Sequence, residues 1–123
     1  PSNILWRDVR PNCVDWDDAI NGPAIQDLWM LLSGDRIAQT AQICEIAEGY
    51  EMFAEFPRKQ IRFIEVLRAM RIINYSGWLA TRWEDPAFKL NFPWFNTVRY
   101  WSDHILILRE QLAALQEEPL KLQ

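Results

Sequence analysis

The sequence predicts a mainly α fold: a short β-hairpin within residues 1–20, then about four helices over residues 21–123, as a single domain piece. Three observations carry that prediction. Two short apolar, β-prone runs flank a stretch of turn chemistry at the amino terminus. Beyond them, apolar residues recur at three- and four-residue intervals in runs separated by Pro and Gly. Half of the 123 residues are hydrophobic and 24% are charged, the balance of a chain that packs a core. The length leaves no room for a second domain of ordinary size.

The strands of the hairpin are expected at residues 3–6 and 13–16, with the Arg- and Pro-containing segment 7–12 as the turn. Asn21, Gly22 and Pro23 then open a helix over about 23–32, with Ile25, Leu28, Trp29 and Leu32 at helical spacing. Ser33, Gly34 and Asp35 stop it and cap a second helix that ends near Phe56. Its predicted inner face is Ile37, Ala41, Cys44, Ala47 and Tyr50 or Glu51, with Phe53 one turn on. Pro57 begins the longest pattern, to about Trp83, with Ser76-Gly77 as its expected bend. Apolar residues lie on nearly every side of it, so it is expected to be the most buried element. Residues 84–96 hold Pro86, Pro93 and several large apolar side chains, and read as a loop packed onto the core. Thr97 caps the last helix, whose Trp101, Ile105, Leu108, Leu112 and Leu115 repeat up to Pro119.

Charge narrows the function classes. The net charge is −4, distributed as −7 over residues 1–56, +5 over 57–83 and −2 over 84–123. The basic residues of the middle segment do not share one helical face, so they are expected to pair with acidic neighbours, and nucleic acid is not an expected partner. No apolar run approaches the length of a bilayer span, and no basic-then-apolar signal opens the chain. The expectation is a soluble, cytoplasmic protein that needs no membrane and acts as a monomer. Cys13 and Cys44 are too few for a disulfide framework; both read as small core residues. The single His104 cannot complete a tetrahedral zinc site and reads as a surface or satisfied side chain.

Carboxylates are dense in one place, Asp15, Asp17 and Asp18, directly after a predicted strand and opposite Asn3. A carboxylate beside an amide carbonyl suits Mg²⁺, a hard cation commonly held by one or two protein groups and substrate phosphates. Such residues also form turns and cap helices, and from these residues alone both readings stay open. By strand alternation Asp17 is expected on the same side as Asp15.

The segments Ser2-Asn3-Ile4-Leu5-Trp6, Val14-Asp15-Trp16-Asp17-Asp18-Ala19, Gly22-Pro23-Ala24 and Gln26-Asp27-Leu28-Trp29-Met30 resemble the catalytic-loop and metal-binding parts of the aminoglycoside and choline phosphotransferases. These are enzymes of the protein-kinase-like superfamily. Within that group, Leu67-Arg68-Ala69-Met70-Arg71, Asp85-Pro86-Ala87-Phe88, Asn91-Phe92-Pro93-Trp94 and Tyr100-Trp101 resemble the bacterial stress response kinases, cytoplasmic serine/threonine protein kinases. The resemblance covers nearly the whole chain and implies a fragment of the carboxyl-terminal lobe of a kinase-like fold.

It also implies roles. Asn3 matches the catalytic-loop Asn, and Asp15 matches the metal-binding Asp on which catalysis depends. Together they are expected to hold Mg²⁺ against the phosphates of ATP. Asp27 matches a structural Asp beneath the catalytic loop. Trp16-Asp17 stands where protein kinases carry Phe-Gly, as in the small-molecule branch. The family's catalytic-base Asp, five positions before the matched Asn, and the amino-terminal lobe with its phosphate-contacting Lys are not among these 123 residues. The implied partners are therefore ATP, a protein Ser/Thr substrate and the missing amino-terminal lobe, and this piece alone is expected to be inactive. A kinase for a small alcohol such as homoserine or choline, and a helical interaction module without catalysis, are the alternatives.

Overall fold

Strands β1 (Ile4–Arg7) and β2 (Arg10–Cys13) pair antiparallel in the computed structural model, which describes residues 3–122. Ile4 stands opposite Cys13 and Arg7 opposite Arg10, leaving only Asp8 and Val9 for the turn. Both are left-handed, with φ of 48° and 60°, as a two-residue type I′ turn requires. The expected hairpin is present, but its strands lie nearer the turn than the sequence indicated, and the six-residue turn shrinks to two. A β-branched residue in that conformation is strained by roughly 1–2 kcal/mol, so the absence of Gly from the turn has a cost. Val9 is 92% exposed and packs on nothing that would repay it. Val9→Gly is expected to stabilise the hairpin by about 1 kcal/mol, read as slower hydrogen exchange at the Val14 amide, which donates to the Asn3 carbonyl at 3.0 Å. Cys13, expected inside, is exposed because this two-stranded sheet covers neither face of β2.

The chain divides into two compact units, Pro1–Ile61 with Leu120–Gln123, and Arg62–Pro119. In the first, α1 (Ile25–Leu28) tightens into a 3-10 turn, Trp29–Leu31. Asn21 does not cap it: the helix begins two residues later than Pro23, and the side-chain carbonyl of Gln60 accepts the Ile25 amide at 3.2 Å. Gly34 turns the chain with φ of 80°, and Asp35 caps α2 (Arg36–Glu51) by accepting the Ala38 amide at 2.9 Å. The buried residues of α2 are Ile43 and Ala47; Ala47 lies on the expected face and Ile43 does not, while Ile37 and Phe53 are exposed. Tyr50 meets Phe56 edge-on at 5.6 Å. This explains why α2 stops at Glu51, short of Phe56: the chain turns so that Phe56 enters the core, where Ile25, Ile43, Ile61 and Leu120 are also buried.

The second unit is built on α3 (Ile64–Thr81), which follows a 3-10 segment, Arg58–Phe63, in place of the helical start expected at Pro57. It runs unbroken through Ser76 and Gly77, where a bend was expected. The reason is visible at Ser76, which is buried with its hydroxyl 2.6 Å from that of Tyr100. Residues 84–96, read as a loop, contain α4 (Pro86–Asn91). Asp85 accepts the Ala87 amide at 2.8 Å and Pro86 occupies the first turn, so this Pro starts a helix within the expected loop. The segment does pack down, as expected: Phe95 is buried, with Trp83, Tyr100 and Trp101 ring centres within 4.9–5.6 Å.

Thr97 caps α5 (Val98–Ala114) by accepting the Tyr100 amide at 3.1 Å. The expected apolar face of α5 only overlaps its packed face: Leu108 is half-buried, whereas Ile105, Leu112 and Leu115 are exposed. The face that meets α3 carries hydrogen-bonding groups instead. Gln111, buried, donates to the Glu65 carbonyl at 2.9 Å and its carboxylate at 2.8 Å, and His104 stacks on Tyr100 beside Ser76. Nor is α3 buried all round, since Val66, Met70 and Ile73 are exposed. Arg68 lies 3.4 Å from Glu65 on its own helix, and the expected pairing with an acidic residue of the first half is made by Arg58, 2.7 Å from Glu51.

Candidate metal centre

The open end of the hairpin brings Asn3 and Asp15 together. Asn3 directly precedes β1 and Asp15 lies two residues past β2, so the pairing that aligns Ile4 with Cys13 also delivers these two side chains to one end. The Asn3 Nδ2 donates to Asp15 Oδ2 at 3.2 Å, although the residues are twelve apart in sequence. The Val14 amide to the Asn3 carbonyl continues the ladder one step beyond β1 and fixes the approach.

Asp15 itself is left-handed, with φ of 64°. Non-glycine residues held there are uncommon, and they concentrate at sites where the surrounding structure imposes the conformation for a purpose. The Trp16 indole N–H donates to the Cys13 carbonyl at 3.1 Å, bridging over Asp15. The expectation from strand alternation fails for Asp17, because β2 has already ended at Cys13. Asp17 and Asp18 lie instead in a turn, with the Ala19 amide bonded to the Trp16 carbonyl at 3.0 Å.

The donor set suits a hard divalent cation. An Asn amide offers a carbonyl oxygen beside its NH₂, and rotation about its last torsion exchanges the two, so the pair can present amide and carboxylate oxygens together. Among the described residues no three His, Cys, Asp or Glu side chains converge. A cation here would have two protein ligands and complete its shell with phosphate oxygens and water, as Mg²⁺ commonly does. Asp27 is exposed on α1, and its carboxylate has no partner among the described residues. His104 is satisfied, half-buried against Tyr100 with Ser76 Oγ at 3.3 Å, and Ser76 is closed off from solvent. No helix among the described residues is long and apolar enough to cross a membrane.

The chain belongs to the phosphotransferase enzyme family (APH), which residues 1–64 match. Over 120 residues, 98% of this chain, it is 55% identical to stress response kinase A of Escherichia coli O157:H7. It is 53% identical over the same length to serine/threonine protein kinase RdoA of Salmonella typhimurium strain LT2. In both cases the match covers 36% of the relative, so the chain spans about a third of the length of these curated proteins. No solved structure matches it.

Proposed function

We propose that this chain is the metal-holding and helical carboxyl-terminal part of an ATP- and Mg²⁺-dependent serine/threonine protein kinase of the cytoplasm. The observation that carries the reading is the Asn3 amide 3.2 Å from the Asp15 carboxylate at the end of the hairpin. The names of the relatives, stress response kinase and serine/threonine protein kinase, support the substrate class.

In this reading Asp15 supplies the negative charge that fixes a divalent cation, and Asn3 supplies the neutral second ligand. The two-residue turn and the four-residue strands hold them in register. When bound, a divalent cation held by Asn3 and Asp15 would supply charge neutralisation at the ATP phosphate oxygens, which is most of what phosphoryl transfer asks of a protein beyond positioning.

The test uses protein of the relatives' full length, given ATP and Mg²⁺ with either a Ser/Thr-rich protein acceptor or a panel of small alcohols including homoserine and choline. Phosphate is expected on protein hydroxyls. Transfer only to a small alcohol would replace the substrate class. No transfer to any acceptor, with no ATP turnover, would leave a helical interaction module as the better account.

A further inference from the structure

Asp15 occupies a backbone region disfavoured for any residue with a Cβ, and it stands between two anchors. On one side the Val14 amide is bonded to the Asn3 carbonyl. On the other, the Trp16 indole reaches back over Asp15 to the Cys13 carbonyl at 3.1 Å. This second bond closes the four residues 13–16 into a turn with Asp15 as its third member. We propose that Trp16 is a positioning residue for the metal centre: its indole N–H locks Asp15 in the left-handed conformation that turns the carboxylate toward Asn3. The inference rests on the metal-binding reading of that pair.

The placement separates this role from packing. Trp16 is 67% exposed, so its ring is not part of the core. The indole N–H is the only donor of a Trp side chain. Phe keeps the ring and deletes the bond. Without it, Asp15 is free to relax to negative φ, and the carboxylate leaves the Asn3 amide. Partners that orient metal ligands typically change affinity by about 10- to 100-fold when removed.

The experiment measures Mn²⁺ affinity in full-length protein by electron paramagnetic resonance, with nucleotide present, for wild type, Trp16→Phe, Trp16→Leu and Asp15→Ala, alongside thermal midpoints. Trp16→Phe and Trp16→Leu are both expected to weaken Mn²⁺ about tenfold, with unchanged midpoints, and Asp15→Ala to remove binding. Asp15→Ala without binding and Trp16→Phe at wild-type affinity overturns the role of Trp16 and leaves the metal centre standing. Loss in Trp16→Leu alone also overturns it, since the ring and not its N–H would then be responsible. A midpoint lowered in step with affinity in both Trp16 variants reduces the residue to a structural one. Wild-type affinity in Asp15→Ala overturns the metal centre itself.

Discussion

Asp15→Ala in the full-length protein is expected to abolish phosphoryl transfer, by 10³-fold or more on the order-of-magnitude scale of lost transition-state charge stabilisation, while leaving the thermal midpoint within a few degrees. Asp15 is exposed and contributes nothing to the core, so the fold has little to lose. Its carboxylate accepts from the Asn3 side chain, and in the proposed reading a cation held there would lose its charged protein ligand. Asp17→Ala is the informative comparison. Asp17 lies in the turn after Asp15 rather than on an extension of β2, so its removal is expected to leave turnover within a few-fold of wild type. Should Asp17→Ala be inactive and Asp15→Ala active, the metal ligand has been assigned two residues too early. Activity in both would detach this hairpin from catalysis.

Leu79→Ala is expected to have the largest effect on stability, a loss of about 2–5 kcal/mol. The residue is 0% exposed on α3, in the same helix turn as the buried Ser76, and truncating it leaves a cavity among neighbours already in contact. Met70, on the same helix but 61% exposed, is the control: Met70→Ala should change stability by no more than about 0.5 kcal/mol. Urea midpoints of the 123-residue chain separate the two. Equal losses would mean that α3 is buried all round, as its composition first indicated.

That contrast shows where the sequence was informative. The periodicity of α3 predicted a long helix correctly, but apolar side chains on many of its faces gave no means of choosing which to bury. The choice is made by partners distant in sequence, such as Tyr100 for Ser76 and Gln111 for Glu65, 24 and 46 residues away. The same mechanism explains α5. Apolar spacing pointed to Ile105 and Leu112, whereas the packed face carries polar groups that are buried because each is hydrogen-bonded. Asp85-Pro86 was a legible signal misread, a cap followed by a first-turn Pro. Asp8-Val9 was not legible, because nothing in a Val predicts a left-handed turn; the twist of the paired strands imposes it.

The juxtaposition of Asn3 and Asp15 was legible, since strand, turn and strand place residues twelve apart at one end. The left-handed backbone of Asp15 was not, because it is set by a bond from the following side chain to a carbonyl two residues before it. Trp16 was noted only for standing where protein kinases have Phe. Its indole N–H, a donor that Phe lacks, was the signal available for its role.

The central claim is that Asn3 and Asp15 bind one divalent cation, and the most direct measurement is paramagnetic broadening by Mn²⁺ of the Asn3 side-chain amide protons in full-length protein with nucleotide bound. Mn²⁺ takes the same oxygen ligands as Mg²⁺, and its effect falls steeply with distance. The Asn3 amide signals are expected to disappear at substoichiometric Mn²⁺, to return with excess Mg²⁺, and to persist in Asp15→Ala. Asn3 signals that persist at saturating Mn²⁺ while the nucleotide resonances broaden would contradict the claim.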